Sequence, residues 1–93
     1  MNRKKKETFW FVYVLRCSDG SLYTGITKNI PQRLHEHNHT DKGAKYTRGR
    51  RPVNLVYSEE QTSRATAASR EYQIKHFSRQ QKEQLIKNWN ING

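Results

Sequence analysis

The residue types with the clearest chemical purpose lie in the stretch "DKGAKYTRGRRP". Lys42, Lys45, Arg48, Arg50 and Arg51, with Tyr46 among them, place cations and one aromatic ring on a short glycine-bearing segment. Cations neutralise phosphates and release their counterions, and an aromatic ring can stack on a base, so the segment suits a nucleic-acid backbone. It does not imply sequence-specific reading. A second set of candidates is His35, His37 and His39, spaced by two. On a helix each step of two turns a side chain by about 200°, which prevents a shared metal site. His37 stands apart from the other two because Arg33 lies four residues before it, on the same helical face. Glu71 sits in "ASREYQIKH" with Lys75 four residues on, a spacing that by itself describes a surface ion pair. No phosphate-cradling glycine-lysine loop, "HExxH" motif or glycine-flanked nucleophilic serine occurs in the chain.

These side chains need a scaffold, and 93 residues suit one domain with one modest core. Lysine and arginine number 18 against 8 acidic residues, a formal charge of +10, which points to a polyanionic partner. Cys17 is the chain's one cysteine, so no disulfide partner and no metal-binding cysteine pair is available within it. Its place at the end of an apolar strand predicts a small core residue. No apolar run approaches the ~18 residues of a membrane span, and "MNRKKKE" is not followed by a signal-type run ending in small residues. A cytoplasmic protein is the expectation, with residues 1–8 a mobile basic lead-in and residues 9–93 a single domain.

"FWFVYVLR" has Phe9, Phe11, Tyr13 and Leu15 on one face and Trp10, Val12 and Val14 on the other, as in a central strand covered on both sides. "LYTGIT" follows as its hairpin partner across "SDGS". A two-residue turn at Asp19 and Gly20 pairs Tyr13 with Ile26 and points Tyr13 and Tyr23 apart. A three-residue turn closed by Gly20 in the left-handed region pairs Tyr13 with Gly25 and puts both tyrosines on one face. The turn residues alone leave both registers open. Asn29 as cap and Pro31 in the first turn predict a helix from Ile30 to His39. The basic stretch reads as a loop, "VNLVYSEE" as a third strand, and Ser63 or Arg64 as the start of a helix packing Ala65, Ala68 and Tyr72 on one side. "SRQQ" at Ser78 to Gln81 matches a capping box opening a last helix that buries Leu85, Ile86 and Trp89. The order is β-β-α-β-α-α, an α+β chain.

Taken together, "VYV" at Val12 to Val14, "YTG" at Tyr23 to Gly25, Arg33 ten residues after the second tyrosine, and helix-borne Glu71 resemble the GIY-YIG nuclease superfamily. "YVLRCSDGSLYTGITKNIPQRLHEH" and "GAKYTRGRRPVNLVY" are similar to its small stand-alone bacterial members, long described as uncharacterised. The resemblance implies a small three-stranded mixed sheet flanked by helices. It also implies a metal-dependent endonuclease that hydrolyses DNA phosphodiester bonds, on structured or damaged DNA, with one divalent ion, Mg²⁺ or Mn²⁺. Residue by residue, Glu71 resembles the metal ligand, Arg33 the cation on the scissile phosphate and Tyr23 the group that activates water, while Tyr13 and His37 line the same pocket. A tyrosine at its ordinary pKa near ~10 is a poor base at neutral pH, and His37 or Lys28 is the implied partner for its proton. Lys28 joins Lys42, Lys45, Tyr46, Arg48, Arg50 and Arg51 as the expected nucleic-acid-binding set. The resemblance also commits the hairpin to the register that faces Tyr13 with Gly25. Two other readings stand beside this one: a nucleic-acid-binding module of the same fold with little or no catalysis, and a module whose charge binds an acidic protein.

Overall fold

One loop residue decides the hairpin. In the computed structural model, which describes residues 9–92, Gly20 has φ 86°, the left-handed conformation that glycine adopts without strain. Its N–H donates to the Cys17 carbonyl at 2.9 Å, and the Cys17 N–H donates to the Ser21 carbonyl at 2.8 Å, which is the three-residue turn with its bulge. Asp19 braces it by accepting from the Ser21 N–H at 3.0 Å and the Ser21 hydroxyl at 2.6 Å. Strands β1 (Trp10–Arg16) and β2 (Leu22–Thr27) therefore pair Tyr13 with Gly25 and Leu15 with Tyr23. The lead-in expected over 1–8 lies outside the described residues.

After β2 come α1 (Ile30–His39), α2 (Lys45–Arg48), β3 (Asn54–Gln61), α3 (Arg64–Lys75) and α4 (Arg79–Asn92). The α+β class and the strand-strand-helix-strand-helix-helix order are as expected, with two differences. The basic stretch is not all loop, because its centre winds into the short helix α2. The sheet is antiparallel throughout, in the order β2-β1-β3, where a mixed sheet was expected. The segment carrying α1 and α2 returns the chain to the end of β1, so β3 starts beside Arg16 and runs back along β1, parallel to β2 but never next to it.

Alternation along β1 builds two cores. Val12 and Val14 pack with Tyr57, Ala67, Ile74 and Ile86 under α3 and α4. Tyr13 and Leu15 pack with Cys17 and Val53 against Ile30 and Leu34 of α1. A bulge in β3 between the partners of Val14 and Leu15 breaks the period of two, so Leu55 joins the α1 side while Tyr57 joins the other. Cys17 is buried and free.

The helix ends follow their capping residues. Asn29 accepts from the Gln32 N–H at 3.1 Å and opens α1 at Ile30. Ser63 and Thr66 cap α3 reciprocally, and Ser78 with Gln81 forms the expected box at α4, with bonds of 2.8 and 3.1 Å. The buried side of α3 is Ala67 and Ile74, not Ala65 and Tyr72, and Tyr72 is 67% exposed. Residues seven apart meet the sheet over two full turns, and this rotation carries Glu71, four after Ala67 and three before Ile74, onto the inward side. Arg16 of β1 grips Glu83 of α4 through two bonds of 2.8 and 2.9 Å, which fastens the last helix to the hairpin. No helix among the described residues is long and apolar enough to cross a membrane.

Candidate active site

Tyr13 leaves the middle of β1 toward α1, and the residue opposite it has no side chain. A Cβ at Gly25 would stand 2.5 Å from the Tyr13 hydroxyl and 2.7 Å from the ring carbon that bears it, so glycine is what lets the ring lie flat across the hairpin. The Tyr13 hydroxyl meets His37 Nε2 at 2.8 Å, and His37 Nδ1 meets the Thr47 hydroxyl at 2.9 Å. Thr47 in turn donates to the Ala44 carbonyl at 2.9 Å. Tyr13, His37 and Thr47 are at most 2% exposed, so this chain of polar groups is dry. Burial favours the neutral form of both rings. It pushes the Tyr13 hydroxyl up to about 12 against the pull of nearby Arg33, and it pushes His37 down to about 4, helped by the Arg33 charge.

Tyr23, two residues along β2 from Gly25, shares the face but is half-buried. Its ring lies 5.3 Å from His37 and 6.4 Å from Tyr13, and 6.0 Å from Tyr46 of α2 in a stacked pair. Arg33 comes from the turn of α1 before His37. Its Nη1 donates to Glu36 at 2.8 Å and to the Lys42 carbonyl at 2.9 Å, which holds the guanidinium beside the Tyr13 hydroxyl. Glu71 lies on the inward side of α3 with its Oε2 3.3 Å from Lys75 Nζ, and its charge adds the smallest of the effects that raise the Tyr13 hydroxyl. Of the sequence-derived set, Tyr13, Tyr23 and His37 are thus brought together by β1, β2 and α1 with Arg33 beside the Tyr13 hydroxyl, while Glu71 approaches from α3 and makes its direct contact with Lys75.

An open groove of about 260 Å³ runs along the outer edge of β2, lined by Leu22, Tyr23, Thr24, Tyr46, Lys75 and Lys82. Among the described residues no group of three or more acidic, histidine or cysteine side chains could hold a metal ion. Glu71 is a lone carboxylate, and that fits Mg²⁺, which keeps several waters and is commonly held by one or two carboxylates and substrate phosphates. His35 and His39 lie with ring centres 4.8 Å apart on the exposed side of α1, while His37 is buried.

The expected basic set divides. Lys42 and Lys45 are exposed, and Lys28 is exposed with its ammonium 5.9 Å from the Trp10 ring centre. Tyr46 is 41% exposed and carries the Arg50 guanidinium 4.0 Å from its ring centre. Arg50 also donates to Asp19 at 3.0 Å, and Arg48 donates to the Asp41 carbonyl at 3.1 Å. Arg51 turns inward instead: Nε donates to the His37 carbonyl at 2.6 Å and Nη2 to the Thr40 carbonyl, closing the end of α1. Two of its five donors are thereby committed to the fold. Sequence reasoning missed Thr47 and Lys82, and read Lys75 only as the partner of Glu71. Thr47 lies ten residues from the histidine it touches, and Lys82 belongs to a helix read only for its apolar residues.

The family model described as GIY-YIG catalytic domain matches residues 9–89. The UPF0213 protein of Desulfotalea psychrophila is 56% identical over 78 residues, which are 84% of this chain and 71% of the relative. A UPF0213 protein of Staphylococcus epidermidis is 54% identical over 76 residues, 82% of this chain and 92% of its own. Among solved structures, the UPF0213 protein of Bacillus halodurans superposes with a TM-score of 0.55 at 46% identity, covering 86% of this chain and 84% of that one. A protein of E. faecalis superposes with a TM-score of 0.60 at 40% identity, covering 90% and 88%.

Proposed function

Since the chain belongs to the GIY-YIG family, a nuclease superfamily whose substrates are nucleic acids, we propose that it is a metal-dependent endonuclease hydrolysing DNA phosphodiester bonds. The observation that carries the proposal is the cluster of Tyr13, Tyr23 and His37, with Arg33 bearing on the Tyr13 hydroxyl, behind a groove that Tyr23 lines and that has no acidic lining. In-line attack concentrates negative charge on the phosphate, and Arg33 stabilises it there. Tyr23, open to the groove, activates the attacking water. Tyr13, buried and neutral, holds its position through His37 and fixes the wall against which the phosphate is presented. Glu71 would hold one divalent ion, Mg²⁺ or Mn²⁺, which when bound supplies a Lewis acid for the phosphate oxygens. Structured or damaged DNA is the proposed substrate class.

A second reading, binding with little or no catalysis, is favoured by the 3.3 Å Glu71–Lys75 pair, in which a lysine engages the carboxylate. One experiment separates the two. Supercoiled and branched DNA incubated with the protein should be cut in Mg²⁺ or Mn²⁺ and left intact in EDTA. Glu71→Gln should lower the rate by at least ~10²-fold, the loss typical of removing one electrostatic stabiliser. Cleavage that survives in EDTA or in Glu71→Gln sinks the metal site, and tight, salt-sensitive binding without cleavage establishes the second reading.

A further inference from the structure

The last helix is held against the hairpin by charge. Glu83 takes both nitrogens of Arg16 at 2.8 and 2.9 Å and Arg79 at 2.9 Å, and Arg79 reaches on to the Gly20 carbonyl at 2.9 Å. Three cationic donors to one carboxylate hold it well below the usual range, at about 2, so the clamp stays charged. Successive residues of a helix are turned by about 100° from one another. With Glu83 aimed at Arg16, Lys82 is turned to the groove along β2, where it stands as one wall and Tyr46 as another.

Lys82 has an unusual setting for a lysine. It is half-buried, and among the described residues it pairs with no carboxylate, whereas Arg16, Arg33, Arg50, Arg70, Lys75 and Arg79 all do. The groove contains no acidic side chain, and its other cation, Lys75, reaches Glu71. A half-buried lysine that lines a groove free of acidic side chains and pairs with no carboxylate can offer its ammonium to an anion, and two cations spaced along a groove beside aromatic rings match a polyanion with planar bases.

We infer that Lys82 and the groove along β2 bind a backbone phosphate flanking the one to be cut, so that α4 belongs to the substrate-binding surface. The inference rests on the nucleic-acid reading above. The strand passes Glu71 and Tyr23, follows the outer edge of β2 and leaves between Tyr46 and Lys82.

Binding of a fluorescein-labelled branched DNA, measured by anisotropy in EDTA from 50 to 200 mM salt, tests this without cleavage. Each phosphate contact contributes about 0.9 to the slope of log affinity against log salt. Lys82→Gln, which keeps most of the stem, should lower the slope by about that amount, so that the loss of affinity across the salt range becomes ~3.5-fold smaller. Lys82→Arg should restore the slope. Lys87→Gln, an exposed lysine of α4 outside the groove, should leave it at the wild-type value. An unchanged slope in Lys82→Gln, or an equal fall in Lys87→Gln, overturns the inference. So does loss of the Lys82 effect in phosphate buffer of matched ionic strength, which would mark the groove as a site for inorganic phosphate. Cleavage in Mg²⁺ is scored separately, so a protein that binds without cutting refutes the nuclease proposal while leaving Lys82 to be judged on its slope.

Discussion

The two sides of Tyr23 are built on opposite principles. Toward the interior, Tyr13, His37 and Thr47 form a chain of neutral groups at most 2% exposed, each polar atom paired at 2.8 to 2.9 Å. Toward solvent, Tyr46, Lys75 and Lys82 line an open groove, with Arg50 lying on the Tyr46 ring. Burying a charge is expensive, and the interior side avoids that cost because its two titratable rings are neutral at pH 7. The open side can carry charge because water screens it until a ligand arrives. The difference assigns separate work: the dry side sets where atoms stand, and the wet side supplies the field that a phosphate feels.

The strongest way to break that division is to crowd the dry side. Gly25→Ala puts a methyl carbon 2.5 Å from the Tyr13 hydroxyl, so the ring must move and its bond to His37 must lengthen or break. Overpacking costs ~1–3 kcal/mol, and an unpaired buried group adds a similar amount, so a fall in melting temperature and loss of DNA cleavage are expected together. A variant with wild-type stability and rate would show that the ring has space to yield. Thr47→Val is a finer cut, removing one hydroxyl at nearly constant volume. It takes from His37 Nδ1 its 2.9 Å partner and leaves it the longer 3.4 Å contact with the Ala44 N–H, at a cost of ~0.5–1.5 kcal/mol. DNA affinity should hold while the cleavage rate falls, because the groove is untouched; a loss of affinity with unchanged turnover would erase the boundary between the two sides.

Legibility in the sequence follows the same boundary. Features set by neighbours in the chain could be read: the helix from Asn29, the capping box at Ser78, the two faces of β1. The register of Tyr13 against Gly25 could be settled only with the resemblance, since the turn residues admit two pairings. What could not be read depends on distant partners. The β3 bulge that sends Leu55 and Tyr57 to different sides leaves no mark on the alternation of "VNLVY". The rotation of α3 that turns Glu71 inward follows from Ala67 and Ile74 meeting the sheet, while Ala65 and Tyr72 offer an equally regular but wrong face. The mixed sheet came from the resemblance alone, and the antiparallel pairing of β3 with β1 follows from where α1 and α2 return the chain.

Arg50 and Arg51 provide the smallest and most local contrast, since adjacent residues of one basic run fall on opposite sides. Arg51 donates to two carbonyls at the end of α1, where a cation complements the negative end of the helix dipole, and charge-assisted bonds of this kind are worth ~1.5–3 kcal/mol. Arg51→Ala should therefore lower stability, and because the pair is partly sheltered the loss should persist at high salt. Arg50 makes an exposed ion pair with Asp19 at 3.0 Å and lies over Tyr46. Surface pairs contribute ~0.2–1 kcal/mol and are screened, so Arg50→Ala should change the unfolding midpoint little, less still in high salt, and should reduce DNA affinity instead. Denaturant melts and anisotropy titrations of the two variants at low and high salt give four readings. Equal losses of stability would mean that Arg50 is as structural as its neighbour, and the wet side would then begin beyond Tyr46.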